Sequence, residues 1–192
     1  MTAELRPVPI FHLTGRLVLR QFEQRDTPAL YSIQSDQEAM CHTYAANSLR
    51  QCEERLSTFE DLRPAQGFAP WVVIERASGR VIGWGGLNVD PFDPGWGVEV
   101  SYFFDPAVWG RGFGTELVSY SVKHAFADLA LSYVIAFAKP DNVGSIRVLE
   151  KCGFSFTNYE PRIERNQYRI QRAEFGQPNK PMLPDMTCSP PH

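Results

Sequence analysis

The sequence predicts a single α/β domain in which a mixed, mostly antiparallel twisted sheet of about seven strands is flanked by about four helices. Three observations lead to this prediction. Apolar residues alternate or run together in segments of strand length, and between these segments they recur at helical spacing. A glycine-rich loop joins one such strand to one such helix. The chain has 192 residues, of which 43% are hydrophobic and 21% charged, which fits one globular domain with a sizeable core.

Composition and charge narrow the range of functions. The formal net charge of -3 gives no general attraction for nucleic acid or for an anionic membrane. Residues 1–14 lack the basic start and apolar core of a signal peptide, and no apolar run approaches the ~20 residues that span a bilayer. The four cysteines show no C-x-x-C spacing, so neither a disulfide framework nor a metal site is expected. We therefore expect a cytoplasmic protein without a bound metal.

The first strand and the first helix are predicted near the start of the chain. Residues 16–22 alternate in polarity after a Thr-Gly pair, which indicates a strand that begins near Arg16. Thr27 before Pro28 is typical of an N-cap followed by proline at the first helical position. Leu30 and Ile33 would then lie on the same face of this helix.

A second helix has clearer boundaries. Ser48 and Gln51 have the spacing of a capping box, apolar residues follow at helical intervals, and Pro64 should stop the helix. Residues 40–47 form the loop between the two helices and include His42. This loop is either a surface connection or a segment that contacts substrate.

A meander of three antiparallel strands should follow. Residues 71–75 and 80–84 flank a turn at 77–79 and indicate a hairpin. After two Asp-Pro breaks, residues 98–104 should form the third strand. Four aromatic residues in or beside the meander line either an acceptor pocket or the core: Trp71, Trp84, Phe92 and Trp96.

A glycine-rich loop follows the meander and reads Trp109-Gly110-Arg111-Gly112-Phe113-Gly114. It precedes a segment with helical periodicity that should end near Leu129. Glycine permits positive φ and a close approach to a ligand, while the free N–H groups of a first helical turn attract anions. The loop is therefore either a phosphate cradle, with Arg111 contributing a charged contact, or a plain turn.

The remaining elements are predicted from shorter patterns. Residues 133–138 are an unbroken apolar run, typical of a strand buried on both faces. A short helix over residues 144–151 should end before Gly153, and two closing strands are expected at residues 154–159 and 168–175. We assign residues 1–175 to the domain and residues 176–192 to a proline-rich C-terminal tail, an extended or disordered arm.

Two motifs together carry a resemblance to a known family. Residues 102–116, which contain the glycine loop, resemble the acetyl-CoA pyrophosphate loop of the GNAT acetyltransferase superfamily. Residues 142–154, about thirty positions after that loop, resemble the second CoA-binding motif of the same superfamily. The order of elements over roughly residues 16–175 also agrees with the GNAT fold. Within the superfamily, the Trp-Gly-Arg-Gly-Phe-Gly loop and Asn-x-x-Ser resemble the branch with the RimJ and RimL ribosomal-protein N-acetyltransferases.

The chain departs from the family pattern at two positions. Many members have Gln or Arg where this chain has Trp109, so a polar phosphate contact is missing there. Many also have a tyrosine seven residues after the motif asparagine, which protonates the departing thiolate. That position is Leu149 here, and Ser145 is the nearest replacement in the motif.

The resemblance implies an acetyl-CoA co-substrate and a set of site residues. Glu99 is our first choice for the general base that deprotonates the amine, although it could instead be an exposed strand carboxylate; Glu160 and Glu164 are the alternatives. Ser145 would assist the leaving thiolate. Arg147 either reaches a CoA phosphate or is a solvent-exposed helical arginine. Contacts to acetyl-CoA are expected from Tyr102, Phe103, Phe104, Trp109, Gly110, Arg111, Gly112, Phe113, Gly114, Thr115, Asn142, Ser145 and Arg147.

The implied activity is acetyl transfer from acetyl-CoA to a primary amine, by direct attack in a ternary complex. The acceptor would be a protein N-terminal α-amine or, alternatively, a small amine or antibiotic. A catalytically silent CoA-binding regulatory module is the rival from another class. Partners would then be acetyl-CoA and the amine acceptor, without nucleic acid or membrane, for a monomer or homodimer.

Overall fold

The computed structural model describes residues 11–175, which form one twisted sheet with helices on both faces. The strands are Phe11–Leu13 (β1), Leu17–Arg20 (β2), Trp71–Glu75 (β3), Val81–Asn88 (β4), Glu99–Phe104 (β5), Tyr133–Ala138 (β6), Ser155–Glu160 (β7) and Arg165–Gln171 (β8). The α-helices are Thr27–Gln34 (α1), Leu49–Glu60 (α2), Arg63–Gln66 (α3), Phe113–Ala127 (α4) and Val143–Lys151 (α5). The proline-rich tail and Cys188 lie outside the described residues.

The strands are ordered β1-β2-β3-β4-β5-β6-β8-β7 in an eight-stranded sheet. Every neighbouring pair is antiparallel except β5 and β6, which are parallel. The predicted mixed, mostly antiparallel sheet is therefore confirmed, with one strand more than expected. The additional strand is β1, which has only three residues and forms an edge hairpin with β2.

The predicted strands are found, but two of them have clearly different bounds. β4 continues to Asn88, four residues beyond the predicted end at residue 84, and the last strand is shifted. β8 begins at Arg165, not at Tyr168, and ends at Gln171. Its first residues are polar, but their backbone pairs with β7 and β6 on both sides, for example Asn166 with Ala138. Side-chain polarity could not reveal this extension, because ladder hydrogen bonds depend on the backbone alone.

The start of α1 differs from the prediction. The N-cap position is Asp26, and Thr27 is the first helical residue. Asp26 forms an ion pair with Arg20 and accepts a hydrogen bond from the Glu23 amide, so its carboxylate ties β2 to the helix start. Thr27 is buried, and its hydroxyl has no hydrogen-bond partner in the described part of the chain.

The predicted cap of α2 is confirmed, but its end is not where expected. The Ser48 hydroxyl accepts from the Gln51 amide at 3.2 Å, while the Gln51 side chain accepts from the Asn47 amide at 2.8 Å. The helix ends at Glu60, and Pro64 lies in the first turn of α3, where a missing N–H has no consequence. Pro64 therefore does not terminate α2.

The sheet lies between two layers of helices, so the hydrophobic core has one part on each face of the sheet. α1 and α2 cover one face of the sheet, where Leu30, Leu56 and Phe59 pack against Trp84 and Phe103. α4 and α5 cover the opposite face with a larger set of buried side chains: Leu17, Leu19, Trp71, Val73, Ile82, Leu117, Val118, Val122, Val134 and Leu149. Within residues 11–175, no helix is long and apolar enough to cross a membrane.

The sheet opens between β5 and β6. The pairing of these two strands is limited to the register Glu99 with Ile135, and the Ile135 amide donates to the Val98 carbonyl. Beyond this point the strands separate, and the edge of β5 from Val100 to Phe104 faces the gap without a β6 partner. β5 and β6 are the fourth and fifth of the seven strands predicted from the sequence.

Candidate active site

The gap between β5 and β6 opens into a cavity of about 840 Å³, within the ~300–1,000 Å³ typical of ligand sites. Both predicted motifs reach it: the glycine loop from one side and the N-terminus of α5 from the other. Thirteen of the predicted site residues line this cavity: Glu99, Tyr102, Phe103, Phe104, Trp109, Gly110, Gly112, Phe113, Gly114, Thr115, Asn142, Ser145 and Arg147.

The glycine loop has the conformation that its composition predicts. Gly110 has φ +73° and Gly112 has φ +81°, so both take the left-handed region that a side chain disfavours. Gly112 is the N-cap of α4, a helix of 15 residues, and Glu116 is the first residue whose amide bonds back to it. The amides of the first helical turn are therefore available to an anion in the cavity.

Arg111 differs from its neighbours in the loop, because it does not line the cavity. Its guanidinium forms an ion pair with Glu75 at 2.6 Å, and its carbonyl accepts from the Arg16 side chain. The pKa of Glu75 is lowered, first by its hydrogen bond from Ser78 and then by Arg111. The phosphate contact expected of the Arg111 side chain is thus not what this geometry shows, since Glu75 holds it on the other side of the loop.

Two cationic side chains on α5 line the cavity. Arg147 and Lys151 are four residues apart on the helix, and both line the cavity. Neither forms a hydrogen bond or an ion pair with any residue from 11 to 175. Arg147 was predicted as a site residue, whereas Lys151 was missed; their i, i+4 spacing was the available signal.

Trp109 replaces the usual polar loop residue with a structural contact. Its indole Nε1 donates a hydrogen bond to the Phe104 carbonyl at 3.0 Å. This bond joins the end of β5 to the glycine loop and satisfies an acceptor at the end of the strand. Trp109 therefore holds the loop against the end of β5.

The N-terminus of α5 brings Asn142, Ser145 and Tyr102 together. The Asn142 side chain caps the helix by accepting from the Ser145 amide at 3.1 Å. The Tyr102 hydroxyl donates to the Ser145 hydroxyl at 3.3 Å, which leaves the Ser145 proton for a ligand. Burial is the main cause that raises the pKa of Tyr102 to about 12, so this phenol stays protonated. Leu149, at the position of the family's tyrosine, is buried in the core.

Glu99 lies at the opposite side of β5 from Tyr102. Side chains alternate along a strand, so Glu99 and Phe103 face the α1 and α2 side, whereas Tyr102 faces α4 and α5. Burial, helped by the nearby Asp90 and Asp93 and opposed by Arg165, raises the pKa of Glu99 to about 7. A carboxylate with this pKa can accept a proton near neutral pH and release it again.

The two alternative bases do not reach the cavity. The Glu160 carboxylate accepts from the Arg162 amide and lies 3.8 Å from its guanidinium. Glu164 is exposed, in a turn with φ +52°. Its neighbours Ile163 and Arg165 line the cavity, whereas Glu164 does not. Glu99 is therefore the better candidate for the base.

The end of the cavity beside Glu99 has aromatic and acidic walls. Trp84 and Trp96 line it, whereas Trp71 is buried on the opposite face of the sheet. Asp90 and Asp93 also line it with Glu99. Neither Asp36 nor Asp61 lines the cavity.

The loop at residues 40–47 forms part of the wall. Met40, His42, Thr43 and Tyr44 line the cavity, which favours the substrate-contacting alternative for this loop. Arg165 donates to the His42 carbonyl at 3.1 Å and so ties the loop to β8. No group of three or more residues capable of holding a metal occurs within residues 11–175.

The chain resembles known proteins in its sequence. Residues 16–155 match the family described as acetyltransferase (GNAT) domain. The uncharacterised N-acetyltransferase YoaA of Bacillus subtilis is 30% identical over 143 residues, which are 73% of this chain and 80% of that protein.

Two solved structures have similar folds. The ribosomal-protein-S5-alanine acetyltransferase from Vibrio fischeri has a TM-score of 0.69 at 16% identity, over 88% of this chain and 100% of its own. The enzyme AAC(6')-Ib, solved with ribostamycin and coenzyme A, has a TM-score of 0.68 at 19% identity, over 83% of this chain and 96% of its own. Both likenesses concern the fold.

Proposed function

The chain belongs to the GNAT family of acetyltransferases, and from this premise we propose that it transfers the acetyl group of acetyl-CoA to a primary amine without a covalent enzyme intermediate. The observation that carries the proposal is that Glu99 and the glycine loop with Ser145 line the same cavity from opposite faces of the sheet, at the β5–β6 gap. The face with Glu99 would be the acceptor side, and the face with the glycine loop would be the CoA side.

Acetyl-CoA would occupy the CoA side. Its pyrophosphate fits the free amides at the start of α4, and Arg147 and Lys151 offer positive charge to the phosphates. The pantetheine would lie along the unpaired edge of β5, where backbone groups hydrogen-bond to it as to an added strand. The free amide N–H₂ of Asn142 is available to the same chain, because its oxygen already caps α5.

The reaction follows from the groups beside the gap. The amine nitrogen attacks the thioester carbonyl, and Glu99 takes the proton of the attacking nitrogen directly or through water. A C–N bond forms, the C–S bond breaks, and the thiolate leaves. The Ser145 hydroxyl donates a hydrogen bond to the departing sulfur, while Tyr102 supports that hydroxyl. A thiol has a pKa of ~8.5, so a hydrogen bond suffices near neutral pH.

The first candidate acceptor is the α-amine of a protein N-terminus. An α-amine has a pKa of ~8, so transfer of its proton to a base with a pKa of about 7 costs little free energy. The structurally similar Vibrio fischeri protein is named for acetylation of an alanine of ribosomal protein S5. A lysine amine, with a pKa of ~10.4, would need a stronger base.

A small polycationic amine is the second candidate. The observation in its favour is the group of carboxylates Asp90, Asp93 and Glu99 at one end of the cavity. The similar fold of AAC(6')-Ib was solved with the aminoglycoside ribostamycin. A silent CoA-binding module is the less favoured reading, because such a module has no need of a carboxylate held near neutral pKa beside the gap.

The proposal is tested by CoA thiol release with purified protein and acetyl-CoA. The acceptors are pooled peptides with free α-amines, N-blocked lysine peptides, polyamines and aminoglycosides. Glu99→Gln should abolish most turnover, and Glu164→Gln, an exposed glutamate outside the cavity, is the matched control. Turnover confined to α-amines supports the first candidate. Retained CoA binding with no turnover on any acceptor would overturn the enzymatic proposal.

A further inference from the structure

Arg55 is a cavity residue that the proposed chemistry does not use. It extends from α2 into the acceptor end of the cavity, on the same face of the sheet as Glu99. Its guanidinium lies over three aromatic rings: 4.2 Å from the centroid of Tyr44, 4.4 Å from Phe92 and 5.7 Å from Phe59. These cation–π contacts stabilise the guanidinium among the three rings.

Within residues 11–175, Arg55 forms no hydrogen bond and no ion pair, so no described residue uses its hydrogen-bonding capacity. The comparably enclosed Arg20 and Arg63 each pair with a carboxylate, Asp26 and Glu60 respectively. Stacking occupies the faces of a guanidinium and leaves its five N–H donors at the edge. Those donors are therefore open to a molecule in the cavity.

The surroundings of Arg55 also favour an anionic partner. Desolvation lowers the pKa of Arg55, and the negative charge of Asp90 partly opposes this effect. Asp90 also acts on Glu99, so Arg55 and Glu99 face the same part of the cavity. A partly desolvated cation gains most from a planar bidentate acceptor, which is what a carboxylate provides.

We infer that Arg55 binds a carboxylate of the acceptor, so that the acceptor carries both an amine and a carboxylate. The amine lies toward Glu99, Asp90 and Asp93, and the carboxylate lies toward Arg55. A free amino acid and a peptide with an acidic residue near its N-terminus share this chemistry, and a polyamine lacks it. The inference rests on the proposed acetyl transfer and specifies the acceptor of the same site.

The test compares acceptors that differ only in the carboxylate. Peptide pairs with Glu or Gln at the second position, and free amino acids beside their amides, are assayed with wild-type protein by CoA thiol release. Arg55→Gln and Arg55→Lys follow, with Arg50→Gln as control, because Arg50 lies on the same helix but is exposed and pairs with Glu54. Thermal melts verify that each variant is folded.

We expect the wild-type protein to favour the carboxylate acceptor about tenfold to a hundredfold in kcat/KM, mainly through KM, as for a hydrogen-bonded charge pair. Arg55→Gln should remove this preference and leave the KM of acetyl-CoA unchanged. Arg55→Lys should keep part of it, and Arg50→Gln all of it. The pair of acceptors that shows the preference identifies the source of the carboxylate.

Equal turnover of carboxylate and amide acceptors by wild-type protein, or a preference that survives in Arg55→Gln, would overturn the inference alone and leave the acetyl transfer intact. Absence of all turnover would instead overturn the proposed function. In that case, titration calorimetry of CoA-bound protein with glutarate and with glutaramide tests whether Arg55 binds a carboxylate. Glutarate binding lost in Arg55→Gln supports the subsite, and equal binding of the two compounds refutes it.

Discussion

Replacing Glu99 with glutamine should make the protein more stable at alkaline pH and at the same time remove most of its activity. The pKa of Glu99 is raised from 4.5 to about 7, chiefly by burial. The folded protein therefore holds the proton more tightly than the unfolded chain, and the ionised carboxylate destabilises the fold. This destabilisation is zero below about pH 4.5, grows as the pH rises, and is complete above about pH 7.

The size of both effects follows from this pKa. A rise in the pKa of Glu99 from 4.5 to about 7 corresponds to about 3 kcal/mol of unfolding free energy, as an upper value. Glu99→Gln should therefore raise the unfolding free energy by up to this amount at pH 8 and leave it unchanged at pH 4. For activity, a base with a pKa of about 7 is roughly nine-tenths ionised at pH 8 and about one-tenth ionised at pH 6. Wild-type kcat/KM should thus fall about tenfold between these values.

The assay combines urea unfolding at pH 4 and pH 8 with a pH profile of kcat/KM for the best acceptor. Glu99→Gln should lower kcat/KM about a hundredfold or more. The fall in kcat/KM below about pH 7, which is the acidic limb of the wild-type profile, should be absent in this variant. Glu164→Gln should change neither stability nor profile. Glu99→Gln with wild-type activity and an unchanged acidic limb would refute the base assignment. Equal stability changes at both pH values would refute the argument from burial.

Three further predictions concern the CoA side and the sheet. Tyr102→Phe removes the hydroxyl that donates to Ser145, so kcat should fall about three- to tenfold, while the KM of acetyl-CoA should change by less than about twofold. An unchanged kcat would contradict the supporting role of Tyr102. Arg111→Ala should leave the Kd of CoA within about twofold by calorimetry, whereas Arg147→Ala should weaken it about tenfold; the reverse ranking would restore Arg111 as the phosphate ligand. Gly85→Ala would place a Cβ 2.6 Å from a β5 carbonyl oxygen and should lower the free energy of unfolding in urea by about 2 kcal/mol. Gly95→Ala, with open space around it, should leave this free energy unchanged. Equal effects of the two substitutions would show that β4 and β5 can move apart.

Local patterns predicted the features that depend on neighbouring residues along the chain. The meander, the glycine loop and the α5 cap each follow from rules that act within a few residues, such as positive φ at Gly112 or a capping side chain at Asn142. The start of β8 was wrong by three residues because its polar positions are held by pairing on both edges. A strand between two neighbours needs no apolar signal of its own.

Long-range placement decided the roles of the charged side chains. Arg111 follows the expected loop pattern, yet Glu75, thirty-six positions earlier, holds its guanidinium away from the cavity. Arg55 has an ordinary position on an amphipathic helix, and only the fold places it over three rings and beside the acceptor end. Sequence spacing carries no information about which distant carboxylate or ring a flexible side chain will reach.

The sequence by itself thus determined the family, the order of the elements and the positions of the two motifs, because glycine conformation, helix caps and apolar periodicity are local properties. Only the tertiary structure decided that the pKa of Glu99 lies near 7, that Tyr102 donates a hydrogen bond to Ser145, and that Arg55 lines the cavity without a hydrogen-bond partner among residues 11–175. Burial and charge proximity arise when segments far apart in the chain close around one cavity, and these two quantities set the chemistry of the site.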